Sequence, residues 1–154
     1  YASLLALGME GYQRLLANYI EVNLRFRKTL KLAFNNVEIT NEVSPITTFR
    51  FYPTSSRWKE ELNGMLTLEE INEINHYNEE FAELIGIARE HVFFGNTKKQ
   101  RQVVAANSNK KVSIYAHKFF SISPYTTVEE VERYIAFLQD HMKIHEKSYE
   151  LLYV

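Results

Sequence analysis

Residues 112–138 read VSIYAHKFFSISPYTTVEEVERYIAFL, a strand, a turn and a capped helix in succession. Positions 112–120 are rich in β-branched and aromatic residues, the composition of a half-buried strand. Pro124 has no N–H for a sheet ladder and biases Ser123 toward an extended backbone, so the strand is expected to end there. Thr126 and Thr127 each precede a glutamate by three residues, Glu129 and Glu130, and either pair makes a capping box. Val128, Val131, Ile135, Leu138 and Met142 follow at helical spacing and predict one apolar stripe.

The rest of the chain must supply partners for that strand and that stripe. With 154 residues, there is enough chain for one domain with a substantial core. The composition is ordinary for a globular protein, 45% hydrophobic and 24% charged. A net charge of −1 gives no overall field toward nucleic acid or an anionic membrane. The absence of cysteine removes disulfides, thiolate metal sites and cysteine nucleophiles together, and fits a reducing, cytoplasmic setting. No apolar run approaches the roughly 18 residues of a membrane span. YASLLALGMEGYQ has no basic segment or small-residue cleavage site, so no secretory signal is read. The chain does not open on Met, which is expected of a segment from a longer protein.

Residues 3–32 predict one long helix or two joined ones. Tyr12, Leu15, Leu16, Tyr19, Ile20, Phe26 and Leu30 form the apolar positions, and Gly8 or Gly11 marks a kink. Arg14, Glu21, Arg25 and Lys28 make the opposite, solvated face. Strands are expected at 37–40 and 46–52. In the second, Thr47, Phe49 and Phe51 alternate with Thr48, Arg50 and Tyr52, a pattern with one buried face. Residues 54–66 lack periodicity and read as a loop that Trp58 pins to the body. Residues 67–90 predict a helix opened by a Thr67–Glu70 capping box, with Leu68, Ile71, Asn75, Asn78, Phe81, Ala82 and Ile85 on one face. His91 to Thr97 and Gln102 to Ala106 read as strands, with a turn at 107–111. The expected fold is α+β, a small antiparallel or mixed sheet with helices packed on one face and a long N-terminal helix.

Four stretches carry a resemblance. ASLLALGMEGYQRLL places glycine, acid, glycine and aromatic in register. FRFY ends the second strand. INEINHYNEEFAELIG and SPYTTVEEVERYIAFL supply the remaining helices. Together they resemble the C-terminal small domain of group II pyridoxal-phosphate-dependent amino-acid decarboxylases, enzymes of the aspartate-aminotransferase fold (fold type I). The resemblance covers nearly the whole chain and fits least at 54–66 and 98–111. It implies a single domain over 1–154, with 1–32 as a linking helix and 37–154 as the α+β body. It also implies a homodimeric lyase whose large domain holds pyridoxal 5′-phosphate, and an amino-acid substrate. The Schiff-base lysine would lie in that large domain, so the isolated chain is expected to be inactive.

The resemblance also implies one site residue. In the family an Arg six residues before the turn proline binds the substrate α-carboxylate, and Lys118 stands at that position. Lysine supplies the charge without the bidentate fork. On the residues alone, Lys118 is equally an exposed strand lysine. The pair His117–Lys118 also resembles the family's cofactor His-Lys, but here it follows the small-domain helices instead of preceding them. His141 and His145 have metal-ligand spacing without a third ligand, and His76, His91 and His117 are isolated. Lys98, Lys99, Arg101, Lys110 and Lys111 cluster on a predicted hairpin. They offer the alternative of a non-catalytic nucleic-acid-binding or protein-interaction module using residues 98–111.

Overall fold

The computed structural model describes residues 2–42, 45–53, 57–87, 95–98, 101–121, 123 and 125–153, with side chains from residue 6 to residue 151 of that set. It is an α+β fold. Helix α1 runs Ala2–Ala33, strands β1 and β2 run Val37–Ile39 and Ile46–Phe51, and helices α2 and α3 run Arg57–Leu62 and Leu68–Ile87. Strands β3 to β6 run Gly95–Thr97, Gln102–Val104, Lys111–Ser113 and Ala116–Phe120, and helix α4 runs Val128–Tyr153.

Four strands form one sheet in the order β1-β2-β6-β3, antiparallel at every pairing. Strands β4 and β5 pair separately as a hairpin. One sheet face presents Phe49, Phe51 and Phe119 to α1, α3 and α4. These meet Phe26, Leu30, Phe81, Tyr134, Ile135 and Leu138 in the main core. Phe26 stacks on Phe119 with ring centroids 3.9 Å apart and lies edge-on to Phe49 at 5.6 Å. The high aromatic content is thus used for packing, since rings bury large areas with defined geometry. From Val22 onward α1 belongs to this core.

Both capping boxes form as the residues specify. Thr67 N–H donates to Glu70 Oε2 at 2.8 Å, and Glu70 N–H donates back to Thr67 Oγ1. At α4 the register is Thr127 with Glu130. The α4 stripe is buried at Val131, Ile135, Leu138 and Met142. Gly8 is the kink in α1, at φ +66° and ψ 176°, a conformation that only glycine adopts without strain.

Five expectations require correction. Residues 112–120 are not one strand but two, β5 and β6, broken at Ile114 and Tyr115. The break is made by α3. Asn75 Oδ1 accepts from Tyr115 N–H at 2.8 Å, and Asn75 Nδ2 donates to Ser113 O at 3.1 Å, replacing ladder bonds. Residues 57–62, read as a loop, form α2, although Trp58 does pack against the body. The second face of β2 is not solvated. Arg50 and Tyr52 are fully buried beneath α2 and the β4–β5 hairpin, so the helices do not all lie on one face. Leu16 and Ile20 point outward at 41% and 55% exposure, while Val22 and Asn23 take the inward positions on α1. Strand β4 ends at Val104, short of the expected Ala106. The proline turn at Pro124, His91 and Lys99 lie outside the described residues.

Candidate functional site

Alternation along β6 divides its side chains between two environments. Phe119 and His117 face the main core. Lys118 faces the opposite side, beside Thr48 on β2 and Gly95 on β3, its direct cross-strand partners. Its stem is half-buried. Its ammonium makes no ion pair or hydrogen bond among the described residues. Two residues further, Phe120 is 49% exposed on the same side. Thr48 is buried next to Lys118, and Thr40 Oγ1 bonds its hydroxyl at 2.8 Å.

Lys118 thus occupies one half of the outer sheet face. The other half is closed by a network of charges. Arg50 Nη1 donates to Asn75 Oδ1 at 2.8 Å and to Tyr115 O at 2.7 Å, and Nη2 donates to Glu61 Oε2 at 3.1 Å. Arg101 from β4's approach grips both oxygens of Glu38 and reaches Glu61 Oε1 at 3.0 Å. The Tyr52 hydroxyl lies 2.6 Å from Glu38 Oε2 and 3.1 Å from Glu61 Oε1. Two arginines face two glutamates, so the enclosed charges cancel. Burial alone would lower the Arg101 pKa, but hydrogen bonding and attraction to Glu38 outweigh it and raise it. Burial, then the Glu61 and Glu38 charges, push the Tyr52 phenol upward, keeping it a neutral donor.

His117 is the other titratable group at the sheet centre. Its Nε2 lies 3.2 Å from Asn78 Oδ1, and the rings of Phe49, Phe51, Phe81 and Tyr115 surround it. Burial first, then the nearby charges of Arg50 and His145, pull its pKa down to about 3. It is therefore a neutral core residue. His145 is also buried, against the Tyr77 ring, and His141 bonds Phe137 O through Nδ1. Among the described residues no group of three or more metal-ligating side chains could hold an ion.

These positions test the fit to pyridoxal phosphate. The cofactor needs a lysine for its aldehyde, a stacking group on the same side, and N–H donors for its phosphate. His117 and Lys118 stand on opposite sheet faces, so they cannot act on one ring together. The N-termini of α3 and α4 are filled by Glu70 and Glu130, whose negative charge opposes a phosphate. The described residues therefore do not fit the cofactor.

The basic hairpin is likewise divided. Arg101 is committed to Glu38 and Glu61, and Lys98 pairs with Glu79 while lying over the Tyr115 ring. Lys110 and Lys111 are the exposed cations at its tip. Among the described residues no helix is long and apolar enough to cross a membrane. No family model and no curated protein matches the chain.

The sequence puts Lys118 on a strand but does not show its setting. Arg50, Glu61, Glu38 and Arg101 gave no local signal, because their partners lie on four different elements. Gly95 gave one, a glycine inside a strand pattern.

Proposed function

We propose that this chain is the C-terminal small domain of a fold-type-I, pyridoxal-phosphate-dependent amino-acid decarboxylase, in which Lys118 binds the substrate α-carboxylate. One observation carries the reading. Lys118 sits on a central strand with its ammonium unpaired among the described residues, although the other cations over the same sheet face, Arg50 on β2 and Arg101 beside β4, are matched by carboxylates. An unpaired half-buried cation on a rigid strand suits an external anion.

In this reading the cofactor belongs to the large domain, and the small domain contributes a positioned charge. β6 holds Lys118 between two paired strands, which fixes the direction from which a carboxylate is gripped. The closed half of the face, from Arg50 to Glu38, keeps that strand from shifting. The homodimer and the cytoplasmic setting belong to the same proposal. Steady-state kinetics of Lys118 variants in the full-length protein, with loss of carbon dioxide from amino acids as the readout, test it.

A further inference from the structure

Among the described residues, nothing in the packing around Gly95 requires a glycine. It lies in β3 without the positive φ seen at Gly8 and Gly64. A Cβ built on it would meet Lys118 Cβ and Cδ at 3.8 Å, an ordinary contact, and nothing else within 4 Å among the described residues. Neither backbone conformation nor close packing excludes a side chain there. Glycine nevertheless weakens a strand, and in strands it often marks close approach of a ligand or another backbone. Among the described residues, the one neighbour such a side chain would touch is Lys118.

We infer that Gly95 and Lys118 together form a seat for a small-molecule carboxylate, in which the missing side chain of Gly95 provides the clearance over β3 that lets the anion reach the ammonium. This rests on the reading above, because it places a carboxylate at Lys118. It adds a specificity-determining position on the neighbouring strand. The register Gly95–Lys118–Thr48 sets the geometry. Gly95 leaves the surface of β3 open among the described residues, Lys118 supplies the charge, and the half-exposed Phe120 lies two residues along the same strand face. A branched side chain at 95 would fill that opening and cover the lysine stem without disturbing the core.

The test uses the 154-residue chain and acetate as the probe. The Lys118 side-chain Cε–Nζ NMR signals are followed during titration, with chloride at equal ionic strength as control. The wild-type signal is expected to shift saturably with acetate, and Lys118→Gln to abolish the response. Gly95→Val should weaken acetate binding at least tenfold while raising the urea midpoint, because a β-branched residue suits a strand. Gly95→Ala should fall between, and it carries the test if Gly95→Val does not fold. Acetate binding within twofold of wild type in the Gly95 variants would overturn the inference. So would a wild-type shift that chloride reproduces. The expected acetate pattern, found beside a full-length protein that releases no carbon dioxide, would support the seat and remove only the decarboxylase reading.

Discussion

Asn75 and Tyr115 are joined by a 2.8 Å hydrogen bond from the Tyr115 backbone to the Asn75 side chain, and this bond divides β5 from β6. The same carboxamide oxygen accepts from Arg50, and its nitrogen donates to Ser113 O. One turn further along α3, Asn78 accepts from Phe51 N–H at 2.9 Å and donates to Phe51 O and Ile74 O, each at 2.8 Å. Two asparagines thus finish the sheet where β6 has turned away from β2.

Asn78→Leu is therefore expected to be costly despite its similar volume. It leaves the Phe51 amide and carbonyl without their side-chain partner in the core. Each buried unsatisfied group costs about 1–3 kcal/mol, so a loss of roughly 2–6 kcal/mol is expected for the two. Urea unfolding measures it, and a variant within about 0.5 kcal/mol of wild type contradicts the stitching role.

The Arg50–Glu61 pair is fully buried on both sides. Glu61→Leu alone should destabilise by about 3–5 kcal/mol, because it strands the Arg50 guanidinium. Arg50→Met combined with Glu61→Leu should recover most of that loss, since apolar replacement of a whole buried pair is often neutral. A double-mutant cycle in urea checks this, with purely additive losses as the contrary outcome.

Histidine burial predicts an acid-sensitive fold. The folded-state pKa of His117 is about 3 against 6.5 when unfolded, so the unfolded chain binds the extra proton between those values. Stability is complete above about pH 6.5 and falls as the pH drops, by up to about 1.4 kcal/mol per unit, until about pH 3. His145, lowered mainly by burial, acts in the same sense. Glu146, raised by burial, acts in the opposite sense. Glu69, Glu70 and Glu129, held low by hydrogen bonds, contribute their own losses below about pH 4.5. His117→Phe should therefore flatten the profile between pH 4.5 and 6.5. Thermal unfolding midpoints across that range would reveal an unchanged slope if His117 were not responsible.

Lys118 supplies the enzymatic prediction. Removing one partner of a buried charged hydrogen bond costs about 2–5 kcal/mol. If the chain is the decarboxylase domain proposed above, Lys118→Ala in the parent enzyme should lower kcat/KM by roughly 30-fold to several-thousand-fold, at about 1.4 kcal/mol per decade. Lys118→Arg should retain or improve activity by supplying a fork. Lys118→Ala within about twofold of wild type would return Lys118 to an ordinary strand residue.

The parts of the fold legible in the sequence are those set by neighbours along the chain. The Thr67–Glu70 and Thr127–Glu130 boxes need only three residues, and the α4 stripe only helical periodicity. The break at Tyr115 was hidden because its cause, Asn75, lies 40 positions away. Arg50 resembled an exposed strand residue because nothing local shows that Glu61 will cover it. Leu16 and Ile20 fit the helical period as well as Val22 does, and only tertiary packing chooses between such faces. The strand around Lys118 could be read from its β-branched and aromatic neighbours, whereas its pairing with Gly95 depended on a register between strands that no local pattern fixes.

Arg25 on α1 pairs with Glu132 on α4 across 107 positions of chain, and β6 reaches its place between β2 and β3 only after both have been made. During synthesis, Phe26, Phe49 and Phe51 must therefore wait for Phe119, Tyr134 and Leu138 before their aromatic surfaces are covered. Long-range pairing of this kind delays folding and prolongs exposure of sticky intermediates. A ribosome paused before α4 would carry a chain with an open core, the stage at which a chaperone has most to bind.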